Sequence, residues 1–481
     1  MSQGSNGDEQ LAAVAARRRR RRRGRGRRRR RPAGSGVSVY KGSFGPAQAE
    51  RLLWRAGFGP RPGQAEKLAK KGLRNAVESL TRPPKEKLSG PPPKDDDGHP
   101  LAPADAYGHD HLWWLDRMVR SSRQLVERMT LNWHDWFATS RAEVEASLMR
   151  KQNDMLRRNA LGSFRKILTE ITRDPAMLLW LDGSENSKWA PNENYAREMM
   201  ELFTLGANRG YRERDVREQA RALTGFRNEW DDDIGPHSFR YDRELHDTGR
   251  KKVFGQAGTH DWRDSVRLCL THRKHPSFVV TKLWSYFLPG TPDAGTAKAL
   301  SRLYVRKRYA IRPLVQALLM HPHFYEGPRM VKPPAVFIAG LLRATGQGIT
   351  EEDWSWISDL SGQMLFHPPN VAGWDESRWL DTATFRGRWV AANNALGPSA
   401  LDPDPDETAY DEDETPEAAV AKAVAFWGDP ALTPTTRAAL VRFAREVEPS
   451  ADEPWKRRTY PILRQNALRI LVATSPDLQT C

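Results

Sequence analysis

The sequence predicts a mainly α-helical protein: a multi-helix body with a small β-hairpin arm, preceded by a disordered basic tail. Three observations predict this class. Apolar residues recur at helical spacing over much of 112–288 and again in 296–320, 333–346 and 418–474. Two short apolar runs flank an Asp-Thr-Gly turn signal. A run of arginines precedes the first apolar pattern.

The basic tail, residues 1–36, contains 13 arginines between Arg17 and Arg31 and too few apolar residues to form a core. The formal net charge of +16 includes these 13 charges, so the rest of the chain carries only +3. The sequence pI of 9.9 therefore describes the tail and not a basic folded surface. The tail would contact polyanions without sequence preference. A low-complexity extension with incidental polyanion affinity is the simpler interpretation, and the sequence favours it.

Cysteine content and hydropathy exclude several classes of protein. Two cysteines, Cys269 and Cys481, are too few for a disulfide framework or a zinc site of the repeated C-x-x-C kind. No segment approaches the roughly 20 apolar residues of a transmembrane helix. Pro32 follows the arginines where a signal peptide would carry its apolar region, so the sequence favours a cytoplasmic location, with export alongside an exported partner as the alternative. The sequence contains no phosphate-binding glycine loop, dinucleotide fingerprint or Gly-x-Ser-x-Gly elbow.

Composition divides the chain into four regions. The disordered tail covers 1–36 and the helical body covers 37–400. An acidic linker or loop covers 401–418, and helices that pack on the body cover 419–481. The acidic segment is opposite in charge to the tail, so we expect that the two could associate within one molecule.

The β-hairpin arm is predicted near residue 246. Its strands are 238–241 and 252–255, which flank the segment His246-Asp247-Thr248-Gly249. Because Asp and Gly favour turns, this segment would connect the two strands.

The densest polar motif begins at residue 191. Residues 191–205 fit one helix, and Gly206 would cap its C-terminus. The polar face of this helix is formed by Asn194, Arg197, Glu198 and Glu201.

A second helix is predicted over residues 215–224, after a short connection that favours an antiparallel pair. This pairing would bring Glu198 or Glu201 toward Arg221. The motif is then either a carboxylate pair tuned by arginine for acid–base or metal chemistry, or a solvated face with ion pairs such as Arg197 with Glu201. The spacing alone favours the second interpretation.

Two further motifs carry candidate chemistry. In ERMTLNWHDWF, Glu127 and His134 are seven residues apart and share one helix face, as a metal site or acid–base pair would need; a hydrogen-bonded histidine near a helix end is the favoured alternative. In the proline-rich loop after residue 366, Asn370, Trp374 and Trp379 would form a surface that stacks on sugars or nucleobases, or the indoles would anchor the loop to the core.

These segments together resemble the bacterial family catalogued as domain of unknown function 1800. The resemblance runs from about residue 45 to the C-terminus. The matching stretches are RLLWRAGFGP (51–60), ERMTLNWHDWFATS (127–140), NENYAREMMELFTLG (192–206), YRERDVREQARALTGF (211–226), HDTGRKKVFG (246–255), QMLFHPPNVAGWD (363–375), RWLDTATFRGR (378–388) and LRQNALRILVATSPDLQ (463–479).

The resemblance implies a helical protein and supplies no reaction to transfer. Family members are often encoded beside a second family whose members carry twin-arginine export signals, so it implies a neighbour-encoded protein partner. Many members look exported themselves, and this chain departs from them because it lacks the apolar region of a signal. The resemblance also raises the expectation of a site for the polar residues that match its motifs: Asn192, Asn194, Arg197, Glu198, Glu201, His134, Arg221, His246 and Asp247.

The favoured functional hypothesis is an enzyme, and a hydrolase of a glycan or cell-envelope polymer is its best-supported class. Glu198 and Glu201 would act as acid–base or metal-binding carboxylates, and Arg197 and Arg221 would tune them and hold an anionic group. His134 or His246 would assist proton transfer. The residues expected to bind substrate are Asn192, Asn194, His246, Asp247, Asn370 and Trp374. The sequence specifies neither the metal nor the cofactor.

Two alternatives belong to other functional classes. In the first, the same polar residues form a network that fixes helix packing, and the protein is a non-catalytic scaffold for a neighbour-encoded partner. In the second, the protein binds polyanions through Arg17–Arg31.

Overall fold

Helices dominate the structure, a computed structural model that describes residues 36–231, 235–404, 406–411, 413–447 and 453–481. Within these residues there are 22 α-helices, which confirms the predicted class. Residues 38–481 belong to one unit. The arginine run that was predicted to be a disordered tail lies outside the described residues.

The helices of the first half of the chain are α1 (Pro46–Arg55), α2 (Gln64–Ala69), α3 (Gly72–Thr81), α4 (His109–Arg120), α5 (Gln124–Trp136), α6 (Ala146–Asn159), α7 (Phe164–Ile171), α8 (Pro175–Trp180), α9 (Glu193–Glu198) and α10 (Glu213–Ala222). Those of the second half are α11 (Trp262–Thr271), α12 (His275–Phe287), α13 (Ala294–Arg306), α14 (Ile311–Leu319), α15 (Pro322–Glu326), α16 (Pro334–Thr345), α17 (Asp353–Leu360), α18 (Thr382–Leu396), α19 (Pro416–Phe426), α20 (Pro434–Val447), α21 (Pro454–Thr474) and α22 (Pro476–Gln479).

Two short antiparallel hairpins interrupt the helices. Strand β1 (Phe226–Asp231) pairs with β2 (Gly235–Tyr241), and β3 (Lys251–Val253) pairs with β4 (Gln256–Gly258). The predicted partnership of 238–241 with 252–255 is therefore wrong, although both segments contribute to strands.

The reason for the different pairing lies in the second predicted strand. Phe254 and Gly255 both have positive φ, at 49° and 82°. Two consecutive residues of positive φ form the tight turn that suits a two-residue hairpin, so β3 folds back on β4 at once. The segment from His246 to Gly249 is left as a loop that packs on α10.

Helix α5 lies at the centre of the body. Twelve of its 13 residues are buried, so its predicted apolar stripe has no solvent-facing counterpart. A helix buried on all sides must pair its polar groups. Glu127 does so: its carboxylate accepts hydrogen bonds from Arg157 at 2.7 and 3.2 Å and lies 3.4 Å from the Arg117 Nε.

Buried arginines join distant parts of the chain through backbone carbonyls. Arg343 of α16 donates to the carbonyls of Gly59 and Val119 at 3.1 and 2.8 Å. Arg388 of α18 donates to the carbonyls of Trp379 and Lys332 at 2.9 and 2.7 Å.

Helix α1 is fixed in the same way. Its Arg55 is only 2% exposed and donates to the carbonyls of Phe324 and Pro328 at 3.0 and 2.8 Å. These contacts link α1 to the residues around α15.

The acidic segment 401–418 ends inside the fold. Its Glu414 is buried and accepts a hydrogen bond of 3.0 Å from the buried Arg464 of α21. Helix α19 begins two residues later, at Pro416. None of the described helices is both long and apolar enough to cross a membrane.

Candidate functional site

The predicted helix over 191–205 is two segments. Helix α9 ends at Glu198 and continues as a π-helical segment, Met199–Leu205. The wider turn of a π-helix rotates the later residues relative to an α-helical face. Gly206 ends the segment with a φ of 93°, in agreement with its predicted capping role.

Arg197 is the centre of a group of ion pairs, which we call the Arg197 network. Its guanidinium makes two hydrogen bonds to Glu213 of α10, at 2.7 and 2.8 Å. Glu193 and Glu201 lie 3.5 and 3.8 Å away. The hydrogen bonds from Arg197 lower the pKa of the exposed Glu213. The network therefore joins α9 and the π-helical segment to the start of α10.

The two predicted catalytic carboxylates have different surroundings. Glu201 accepts a hydrogen bond of 2.6 Å from the Tyr211 hydroxyl. Burial, followed by this hydrogen bond, raises the pKa of Tyr211 to about 12. Glu198 is half-buried and makes no hydrogen bond or ion pair to the part of the chain that the structure describes. Burial and the neighbouring Glu201 charge raise the pKa of Glu198.

A second group of polar contacts, the polar clasp, holds the 246–254 segment against α10. Arg221 of α10 donates to both carboxylate oxygens of Asp247, at 2.7 and 3.3 Å. The buried Lys251 ammonium donates to the backbone carbonyls of Asp247 and Gly249. Desolvation raises the pKa of Asp247, but the hydrogen bonds from Arg221 and the Gly249 amide, together with the charges of Lys251 and Arg221, lower it below its ordinary value.

The same face of α10 also pairs with the backbone of β3. Glu218 accepts from the amide of Lys252 at 2.7 Å, and Asp215 accepts from the amide of Phe254 at 2.8 Å. Arg221 donates to the carbonyl of Arg250 at 3.3 Å. Side chains of α10 thus pair with backbone groups in β3 and next to it that β4 leaves without a partner.

His246 is buried beneath the polar clasp, next to the end of α10. Its Nδ1 lies 3.0 Å from the backbone carbonyl of Thr224, and burial lowers the pKa of the ring. The Thr224 hydroxyl accepts from the amide of Asp247 at 2.8 Å. Gly225 has a φ of 93°, and a Cβ there would meet the carbonyl oxygen of Asp242 at 2.5 Å, so this close approach requires glycine.

Arg221 does not approach Glu198 or Glu201, which corrects the expected arrangement. Helical spacing explains the difference. The side of α10 that faces α9 carries Glu213 and Arg217, whose Nε lies 3.6 Å from Glu193. Arg221 instead shares the side that faces β3.

The two predicted asparagines lie at the start of α9. Asn192 caps the helix, since its Oδ1 accepts from the amide of Asn194 at 2.7 Å. Its amide nitrogen donates to the carbonyls of Leu181 and Asp182 at 3.0 and 2.9 Å. Asn192 therefore fixes the loop before α9, whereas the Asn194 side chain is exposed.

His134 lies in the core, in an aromatic cage. Its ring contacts Trp114, Phe366 and Trp374, with centroids 5.3, 5.5 and 5.7 Å away. Neither ring nitrogen has a hydrogen-bond partner among the described residues. Burial lowers the pKa of His134 to about 3. Its ring contacts include no residue of α9, the π-helical segment or α10, so His134 is separate from the predicted carboxylates.

A strained backbone position supports this cage. Phe366 has a φ of +65°, which is unfavourable for a bulky residue, and its ring packs between Trp114 and His134. Its carbonyl accepts from the amide of Arg141 at 2.9 Å. The nearby His111 is also buried, and burial lowers its pKa to about 3.

The predicted stacking surface is not formed. Trp374 and Trp379 are both 7% exposed, so their rings anchor the loop to the core. Asn370 is exposed and accepts from the amide of Ala372 at 2.8 Å, which stabilises the turn. The amide of Trp374 donates to Asp135 at 2.9 Å and fixes the loop on α5.

The predicted site residues thus fall into three places: the Arg197 network, the polar clasp and the aromatic cage with its loop. Among the described residues, no group of three or more His, Cys, Asp or Glu side chains is placed to hold a metal ion.

Comparison with known proteins gives one match. Residues 51–480 match the family described as Protein of unknown function (DUF1800). The chain belongs to the DUF1800 family. No curated protein and no solved structure matches it.

The DUF1800 match includes a residue whose importance was missed in the sequence. Arg128 follows Glu127 in the ERMTLNWHDWF motif and is 4% exposed. The available signal was a second charge on a helix rich in tryptophan. The helical spacing indicated Glu127 and His134 as candidates and assigned no role to Arg128, which α5 buries.

The neutral His134 predicts a specific dependence of stability on pH. The unfolded chain protonates this histidine near pH 6.5, whereas the folded protein does so only near pH 3. The unfolded state therefore binds more protons between these values, and stability falls as the pH is lowered. His134→Met should flatten the fall in unfolding free energy between pH 6.5 and 4, measured by urea denaturation.

The matched control is His99→Met, whose side chain is 74% exposed. This control should reproduce the wild-type pH profile. A His134→Met profile that also matches the wild type would show that His134 titrates normally in the folded protein.

Proposed function

We propose that this DUF1800 protein is a non-catalytic binding protein whose main polar motif is structural. The observation that carries the proposal is the mutual pairing of the predicted catalytic charges. Arg197 is held by Glu213, and Arg221 is held by Asp247. A guanidinium engaged on both sides by carboxylates has few donors left for a substrate anion.

Two exposed tryptophans support a binding role. Trp189 precedes α9 and is 73% exposed, and Trp230 lies on β1 and is 70% exposed. The Lys188 ammonium lies 4.6 Å from the centroid of the Trp189 indole. Large exposed aromatic residues are typical of protein interfaces, where they contribute much of the binding energy. The neighbour-encoded protein implied by the family is the proposed partner.

The structural role of the polar clasp predicts unequal effects of two arginines on one helix. Arg221→Ala should lower the unfolding free energy by about 1.5 kcal/mol, because it removes the guanidinium hydrogen bonds to Asp247 and to the carbonyl of Arg250. Arg217→Ala should lower it by about 0.5 kcal/mol or less, since the Arg217 side chain is 71% exposed. Urea denaturation of both variants measures the difference. Equal effects would contradict a structural clasp.

The binding role predicts that affinity for the neighbour-encoded protein depends on the exposed indoles. The double variant Trp189→Ala/Trp230→Ala should weaken the complex roughly 30-fold or more, as expected when interface aromatics are truncated. Trp356→Ala is the control, because Trp356 is 49% exposed on α17. Titration calorimetry measures each affinity. An unchanged affinity of the double variant would exclude this surface.

Glu198 favours a second candidate function, the enzyme. It is a half-buried carboxylate without a hydrogen bond to any described residue, and its pKa is raised by burial and by Glu201. A carboxyl group that holds its proton nearer to neutral pH suits a general acid. A glycan or cell-envelope polymer remains the proposed substrate of this alternative.

The enzyme candidate predicts that Glu198→Gln abolishes release of soluble fragments from purified cell-wall polymer. Its stability should change little, because Glu198 has no hydrogen bond to lose. Glu193→Gln, on the same helix, is the control and should retain the activity. Release by Glu198→Gln at the wild-type rate would exclude Glu198 as the acid.

A further inference from the structure

A cavity of about 300 Å³ lies between α5, α12 and the loops before α16 and α18. This volume is at the lower end of the range for small-molecule sites. The side chains and backbone segments that line it include Arg55, Arg128, Tyr286, Arg329, Glu376 and Trp379. Three of these six residues are arginines, whereas one is an acid.

Two of the three arginines already have acceptors. Arg55 donates to the backbone carbonyls of Phe324 and Pro328. Arg329 forms an ion pair of 2.6 Å with Asp477. These two side chains are therefore part of the wall.

Arg128 differs from both. Its side chain forms no ion pair with any residue that the structure describes, and its Nε and Nη1 are buried without an acceptor. The guanidinium lies 4.9 Å from the centroid of the Tyr286 ring. The Tyr286 hydroxyl donates to the Arg128 backbone carbonyl at 2.9 Å, and the Arg128 side chain also interacts with this hydroxyl. Tyr286 therefore fixes the arginine without supplying a negative charge. A buried guanidinium that forms no ion pair and has two nitrogens without an acceptor is costly, which points to a missing anionic partner.

A second residue with an unpaired donor, Trp379, lines the same cavity. The indole Nε1 of Trp379 is buried and has no acceptor among the described residues. The one side-chain carboxylate of the lining, Glu376, lies beyond ion-pair distance of Arg128. The negative charge of Cys481 also lines the cavity, but its oxygen is held by Arg55 at 2.7 and 3.2 Å. Burial raises the pKa of Glu376, and the charges of Arg128 and Lys282 oppose this shift. Asp135 also faces Lys282, so Glu376 is not the sole anion near that ammonium.

We infer that this cavity is a binding site for a small oxyanion, a carboxylate or phosphate group, held by Arg128 and Trp379. Both unpaired groups are donors, so the ligand must supply acceptors. A guanidinium presents parallel N–H groups that match two oxygens of one carboxylate or phosphate. The rings of Tyr286 and Trp379 give the site apolar walls, which suit a small organic body attached to the anion.

The test uses the full chain in buffer free of phosphate and carboxylates, with inorganic phosphate and benzoate as separate probes. Thermal unfolding should show a Tm that rises with the concentration of at least one probe. Arg128→Met should weaken that binding about 10- to 100-fold, the loss expected for hydrogen bonds to a charged group. Arg302→Met, an exposed arginine on α13, is the control and should bind as the wild type does.

Stability without any probe gives an independent readout. Arg128→Met should have a Tm equal to or above that of the wild type, because it removes an unpaired buried charge. Arg343→Met should lower the Tm by several degrees, because Arg343 is equally buried but fully hydrogen-bonded.

Three results would overturn the inference. The first is a Tm of Arg128→Met that falls as far as that of Arg343→Met, which would mean that Arg128 has a protein partner such as Glu376. The second is a wild-type Tm that neither probe changes. The third is a probe-dependent rise that Arg128→Met retains.

Discussion

The fold depends on buried guanidinium groups that donate to backbone carbonyls. Transferring a charge from water to a protein interior is costly unless hydrogen bonds replace its hydration. Arg55, Arg343 and Arg388 obtain such bonds from the carbonyls of Pro328, Gly59 and Lys332, which lie outside the helices and are distant in sequence. Burial lowers the pKa of Arg343 and of Arg388 to about 9, so both remain cationic at neutral pH. The same contacts satisfy carbonyls that no helix or strand pairs, and they thereby fix irregular segments against the helices.

The polar clasp follows the same rule with donor and acceptor exchanged, because here side-chain carboxylates accept from backbone amides. Asp215 and Glu218 of α10 accept from backbone amides of β3 and the turn that follows it, and Arg221 is held by Asp247. Strand β3 pairs with β4 on one edge only, and these charged side chains satisfy backbone groups on its other edge. Against this background of satisfied charges, Arg128 is an exception, because it is buried beside a cavity and its Nε and Nη1 have no acceptor in the described part of the chain.

Local sequence patterns predicted most of the helices and strands but not which of them pack or pair with each other. Helical periodicity located α5 and α10, and the capping role of Gly206 is confirmed by its positive φ. The predicted hairpin partners were wrong because the turn at Phe254 and Gly255 requires two positive φ values. Phenylalanine rarely has a positive φ, so the sequence carried no signal for a turn at this position.

The candidate site was less predictable for a related reason. Spacing shows which residues share a helix face, but it does not show what that face meets. The spacing placed Glu127 and His134 on one face of α5, but it did not show that Glu127 meets Arg157 and Arg117 in the interior. Likewise, Arg217 of α10 faces Glu193 of α9, whereas Arg221 faces Asp247 in the loop before β3. The expectation that α9 and α10 form an antiparallel pair does not predict this division.

The most direct test of the account is a high-resolution crystal structure of the protein, grown without phosphate or carboxylates and soaked with benzoate. The account predicts carboxylate density about 3 Å from the Arg128 guanidinium. Arg55, Arg343 and Arg388 should keep their carbonyl partners. An Arg128 guanidinium that is paired with the Glu376 carboxylate, in a cavity without benzoate, would contradict it.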